Sequence, residues 1–124
     1  MASKLEMAIL EVLWSHGPAA VREILERFPP KTRPAYNTVL TLMGRMKGKG
    51  LVAVPRKAGA ANVYQAVISR EEMQRRVMDE MVALFSGQAM GLMTSLIDAG
   101  KLTLKDVEEA ERRLRAGARK PNKL

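Results

Sequence analysis

Hydrophobic positions fall first into helical stripes, then into two short alternating runs, then into helical stripes again. Leu5, Ile9, Val12 and Leu13 recur at helical spacing, with Met7, Leu10 and Trp14 as a second stripe beside them. A helix apolar on two sides is a buried one, so the pattern predicts a central helix over residues 4–15. His16-Gly17-Pro18 stops it, Gly17 being suited to the left-handed position past the last turn. Val21, Ile24, Leu25 and Phe28 predict a second helix, ended by Pro29-Pro30. PPKTRP is the turn that follows, with Pro34 expected in the first turn of a third helix. In that helix Val39, Leu42, Met43 and Met46 make one apolar stripe, which Tyr36 extends. Asn37, Thr41, Gly44, Arg45 and Gly48 then point the other way, with Thr38 and Leu40 on the flanks.

After Gly48-Lys49-Gly50 the period changes. LVAVPR and NVYQAVI are β-branched runs joined by KAGAA, which predicts a β-hairpin with Arg56 and Lys57 near its tip. Ser69-Arg-Glu-Glu then reads as a capping box in which Glu72 reaches back to the Ser69 amide. Met73, Val77, Met81 and Leu84 form one stripe of the helix it opens, and Met78, Val82 and Phe85 a second. Ser86-Gly87 interrupts, and Ala89, Leu92, Met93, Leu96 and Ile97 predict another helix, closed by Gly100. Thr103 caps a last helix, with Asp106 at its third position and a staple between Leu102 and Val107. Arg112, Arg113 and Arg115 suit the dipole at its C-terminal end. The tail GARKPNKL is expected to be disordered.

This order predicts a mainly α fold with a small β-hairpin: a winged helix-turn-helix over residues 1–69, then a three-helix module over 70–124. The second part carries more apolar surface than so short a chain can bury on itself, which points to a homodimer. Met73, Val77, Met81, Leu84, Phe85, Leu92, Met93, Leu96, Ile97, Val107 and Leu114 are the positions expected at its interface. Five of the nine methionines fall at 70–124, and their helical spacing reads as adaptable packing rather than copper ligation.

Charge changes the picture for the third helix. From Arg27 to Ser69 there are eight basic residues (Arg27, Lys31, Arg33, Arg45, Lys47, Lys49, Arg56 and Lys57) and no Asp or Glu. Solvated surfaces mix both signs, so a one-sign segment around a polar-faced helix reads as a footprint for a polyanion. The whole chain, with net charge +8 and pI near 10.2, agrees with a nucleic-acid partner. An amide, hydroxyls and a guanidinium are groups that read base edges in a major groove. On this reading the expected DNA-binding residues include Asn37, Thr41, Arg45, Lys49, Arg56 and Lys57.

Other chemistries are not assembled. With no cysteine there is no disulfide framework, zinc finger or thiol enzyme, and His16, the only histidine, reads as a helix-end residue. No phosphate loop, catalytic triad or metal cluster is formed, so an enzyme, a metal and a cofactor are not expected. The apolar runs are short of a membrane span and MASKLEMA lacks a signal-peptide core, so a cytoplasmic location is expected.

Several of these stretches resemble the penicillinase and methicillin-resistance repressor family. LEMAILEVLW is similar to the family's first helix, AYNTVLTLMGRMKGKGLV to its recognition helix and first wing strand, and VYQAVISREE to the second strand and the start of the dimerisation helices. The resemblance implies a dimeric winged-helix repressor on a palindromic operator in double-stranded DNA, with Asn37, Thr38, Thr41 and Arg45 at base-reading positions. It also implies Tyr36 at the helix start and Arg56 and Lys57 on phosphates. Family repressors are inactivated by a regulatory protease at an Asn-Phe bond in the fifth helix. No Asn-Phe occurs here, and Ser95-Leu96 lies about where it would be. Leu40 stands where some members carry a basic residue, and the cysteine cluster of the copper-responsive branch is missing. Against this stands a winged-helix module for sequence-blind nucleic-acid binding or protein contact, since phosphate neutralisation drives specific and non-specific binding alike.

Overall fold

The computed structural model describes residues 3–117, and residues 118–124, including most of the GARKPNKL tail, lie outside the described part. The described chain runs α1 (Lys4–His16), α2 (Val21–Glu26), α3 (Tyr36–Gly48), β1 (Val52–Ala58), β2 (Ala61–Ala66), α4 (Arg70–Leu84), α5 (Ala89–Asp98) and α6 (Leu104–Gly117). This is the mainly helical architecture with one hairpin that the hydrophobic pattern predicts, a winged helix followed by three helices.

The chain separates into two compact units, Met1–Met78 and Asp79–Leu124. In the first, Ile9, Leu10 and Leu13 of α1 pack with Val21 and Ile24 of α2, Val39, Met43 and Met46 of α3, and Leu51, Val52 and Tyr64 around the hairpin. Ile68 and Met73 complete this core, and Val77 packs against it. The opening turns of α4 therefore belong to the first unit's core. Trp14 reinforces that junction, its Nε1 donating to the Ile68 carbonyl at 2.9 Å while the Arg70 guanidinium lies 5.3 Å from its ring centroid.

Local boundaries move for identifiable reasons. α2 ends at Glu26, before Phe28. Pro29 disfavours helical geometry at the residue preceding it. The chain leaves α2 through Arg27 and Phe28 amides that donate to Ile24 and Leu25 carbonyls, yet Phe28 still packs against the core. Pro34 lies outside α3, whose N-cap is Ala35. Tyr36 does not extend the buried stripe but is 43% exposed. α3 closes through Gly50 at φ 76°, with Gly50 N–H donating to the Lys47 carbonyl and Leu51 N–H to that of Met46, each at 3.0 Å.

The hairpin is tighter than the spacing KAGAA suggests, because the strands pair up to Ala58 and Ala61 and leave a two-residue turn. Gly59 takes a positive φ of 63°, which the first central residue of such a turn needs. The register shifts between Ala53 and Arg56, where Pro55 can donate no ladder hydrogen bond. Opposite that irregularity the other edge of β2 is used, Ala19 and Tyr64 exchanging backbone hydrogen bonds of 3.0 and 2.9 Å.

Capping boxes form with different completeness. Thr103 and Asp106 bond reciprocally at 3.0 and 3.1 Å, as expected for α6. At α4 only half forms: Glu72 N–H donates to Ser69 Oγ at 3.0 Å, while the Glu72 carboxylate turns to Arg75 and Arg76. A third box, Ser3 with Glu6, opens α1.

In the second unit, α5 and α6 have no buried residue. Leu84, Met90, Leu104 and Leu114 are 64–75% exposed. Ser86 at φ 55° and Gly87 at φ 76° turn the chain from α4 into α5, where a side chain at Gly91 would come within 3.3 Å of the Phe85 ring.

Candidate nucleic-acid interface

α3 is anchored by one side only. Val39, Met43 and Met46 are fully buried, which leaves Asn37, Thr38, Thr41 and Arg45 exposed on the remaining surface. Gly44 and Gly48 share that surface, and a Cβ at either would meet nothing within 4 Å, so internal packing does not require the glycines. Asn37, Thr38, Thr41 and Arg45 line a concavity of about 490 Å³ together with Ser3 and Leu5 of the α1 start. Among the described residues no carboxylate lines it.

On the other flank, Tyr36 and Leu40 share a second concavity of about 240 Å³ with Lys57, Ala61, Asn62 and Tyr64 of the hairpin. Lys57 stands opposite Asn62 in the ladder and Arg56 opposite Val63, so both cations sit near the turn, as expected. The Arg22 guanidinium lies 5.8 Å from the Tyr36 ring centroid. Such a contact favours one ring placement at the entry to α3.

The basic window is differentiated. Among the described residues, only Lys49 of its eight cations has a carboxylate within 4.0 Å. Its Nζ donates to Glu6 Oε2 at 2.9 Å, and the Glu6 side chain is 3% exposed. Burial would raise the Glu6 carboxyl, but hydrogen bonds from Lys49 and the Ser3 amide, and the Lys49 charge, together hold it below its ordinary value. Lys49, expected on DNA, thus ties the end of α3 to the start of α1. Arg33 donates to the Phe28 carbonyl at 3.0 Å, which leaves its charge uncompensated. Arg27, Lys31, Arg45, Lys47, Arg56 and Lys57 are exposed.

Three features escaped the sequence pattern. The Ser3–Glu6 box had a readable signal, Ser-x-x-Glu before an apolar run. The Glu6–Lys49 pair and the Ala19–Tyr64 bridge join residues 43 and 45 apart, which periodicity cannot see. Among the described residues no group of three His, Cys, Asp or Glu could hold a metal ion.

The family model described as penicillinase repressor matches residues 2–116. The chain belongs to the penicillinase repressor family. It is 34% identical over 80 residues to "Transcriptional regulator BlaI" of Mycobacterium tuberculosis, 64% of this chain and 57% of that one. It is 25% identical over 114 residues, 91% of this chain and 77% of the other, to an "Uncharacterized 16.5 kDa protein in ptsI 3'region" of Latilactobacillus sakei. Membership makes the chain a DNA-binding transcriptional repressor, of a family of regulators rather than enzymes. Among the described residues no single helix is long and apolar enough to cross a membrane.

The positions expected at a dimer interface divide between the units. Met73 is buried in the first unit's core, so it has no surface to offer a second chain, and Val77 packs against that core. Leu84, Ile97 and Leu114 are exposed, and Met81, Phe85, Leu92, Met93, Leu96 and Val107 half-buried. Ser95 and Leu96 lie inside α5, Ser95 exposed and Leu96 half-buried.

Proposed function

We propose that this repressor acts as a homodimer on a palindromic operator, with α3 in the major groove and the hairpin along the phosphates. The observation that carries this reading is the exposed set Asn37, Thr38, Thr41 and Arg45 on α3, together with six further cations of the 27–69 window that have no carboxylate within 4.0 Å among the described residues. Asn37, Thr38, Thr41 and Arg45 read base edges, with Tyr36 at the start of the helix. Arg56 and Lys57 serve the phosphates. Residues 70–124 hold two copies together through the apolar surface of α5, α6 and the end of α4, which in one copy stays unburied. A dimer sets its recognition helices on half-sites one turn of DNA apart.

The regulated genes are proposed to belong to a β-lactam response, following the family. Repression ends when a regulatory protease cuts α5 near Ser95-Leu96. A titration of the full chain against the promoter beside its own gene, with unrelated duplex as competitor, tests the reading. Preference for the promoter duplex is expected. Equal affinity for both would leave only sequence-blind binding.

A further inference from the structure

Among the exposed side chains of α3, Tyr36 and Leu40 are the large hydrophobic pair. Tyr36 and Leu40 are one helical turn apart, each 43% exposed, and line the concavity between α3 and the hairpin. Neither is needed by the core, which α3 reaches through Val39, Met43 and Met46. Lys57, uncompensated, borders the same concavity, and Asn37 and Thr41 adjoin the pair in the helix. An apolar patch so placed, bordered by Lys57 and with no carboxylate among the described residues that line it, fits a polyanion that carries an apolar group of its own. In duplex DNA the major groove offers one such group, the C5 methyl of thymine.

We propose that Leu40, steadied by Tyr36, selects thymine at one position of each half-site by burying its C5 methyl. The inference rests on α3 lying in the major groove, and adds a specificity determinant to it. Leu40 carries no hydrogen-bonding group, so it discriminates by apolar contact alone. A cytosine at that step presents an amino group to the leucine and no methyl.

The test uses the full chain and duplexes selected with it from a random pool. Each thymidine of the selected sequence is replaced singly by deoxyuridine, which removes the methyl and leaves pairing and phosphates unchanged. Burial of one methyl corresponds to about fourfold in affinity. The wild type is expected to lose about fourfold at one thymine per half-site, and Leu40→Ala, an exposed position that should leave folding intact, is expected to bind both duplexes alike there. The proposal is overturned if no thymine shows a penalty, or if Leu40→Ala keeps the same penalty as the wild type. That second result would assign the methyl contact to a side chain other than Leu40. If the pool yields no consensus at all, sequence-specific recognition itself is refuted, and the thymine reading with it.

Discussion

Lys49 Nζ and Glu6 Oε2, 2.9 Å apart, join the C-cap of α3 to the first turn of α1. Glu6 is the buried charged residue of the core region, and it serves two purposes. Its Oε1 accepts the Ser3 amide at 2.8 Å, and its Oε2 accepts Lys49. One carboxylate therefore caps α1 and fixes where α3 ends. The pair ties the end of α3 to the start of α1.

Breaking the pair should cost stability unevenly. Lys49→Ala strands a buried carboxylate and is expected to destabilise by about 1–3 kcal/mol, less than for a fully buried pair because Lys49 is half exposed. Glu6→Gln keeps an acceptor for Ser3 and should cost about 1 kcal/mol. In a double-mutant cycle by urea unfolding, the two costs should fail to add. Additive costs would mean that the pair does not couple the helices.

The same pair predicts a pH response. A carboxyl held below its unfolded value stabilises the fold above that value, and the contribution is lost as pH falls through the folded pKa. For Glu6, with an ordinary value of 4.5, stability should fall below about pH 4.5. Glu11 and Glu72 are also lowered, so the informative quantity is the difference between wild type and Glu6→Gln. That difference should shrink toward zero in acid. A constant difference from pH 7 to pH 3 would contradict it.

The reach of sequence reasoning here follows the range of the interactions. Val39, Met43 and Met46 recur at helical spacing, so the buried side of α3 was legible, and with it the exposed side that carries Asn37, Thr41 and Arg45. Thr103 and Asp106 were legible because their box spans only four residues. The matching box at Ser69 is incomplete because Arg75 and Arg76, one turn on, compete for Glu72. Tyr36 continues the apolar stripe in sequence, but in the fold Arg22 from another helix meets its ring at the surface. In sequence Lys49 reads as one more cation, because its partner Glu6 lies 43 residues away.

Recognition and phosphate contact should separate by mutation. Thr41→Ala and Arg45→Ala are expected to lose discrimination among operator variants by about 1–3 kcal/mol per lost base contact. Lys57→Ala should weaken binding to every duplex alike and lower the salt slope by about one. Lys49→Ala, whose charge is engaged by Glu6, should leave that slope nearly unchanged. Fluorescence titrations at several salt concentrations check all four. If Lys57→Ala changed base preference while Arg45→Ala did not, the placement of α3 in the groove would be wrong.

Assembly can be tested by truncation. A 1–69 fragment omits Met73 and Val77, which the first unit's core uses, whereas a 1–78 fragment keeps them. Removing a buried methionine side chain costs about 2–5 kcal/mol, so the longer fragment should be clearly more stable to urea. Sedimentation should find both fragments monomeric and the full chain dimeric. A monomeric full chain at micromolar concentration would end the homodimer proposal.

Cleavage of α5 carries the last prediction. Ser95 and Leu96 sit inside a helix whose backbone is hydrogen-bonded, as Ala99 N–H to the Ser95 carbonyl at 3.0 Å and Lys101 N–H to that of Leu96 at 2.8 Å illustrate. A protease needs an extended segment, so α5 must open before the bond can be cut. None of its residues is buried, so local opening meets little packing resistance within one chain. A dimer would cover part of this surface and resist opening. Limited proteolysis should therefore cut within residues 89–98 faster in dilute protein than at concentrations where the dimer forms, and operator DNA, which favours the dimer by mass action, should slow it. In the producing cell, immunoblots before and after β-lactam exposure should show the full chain converted to a shorter one as target genes switch on. A chain that stays intact during induction would rule out cleavage as the release step.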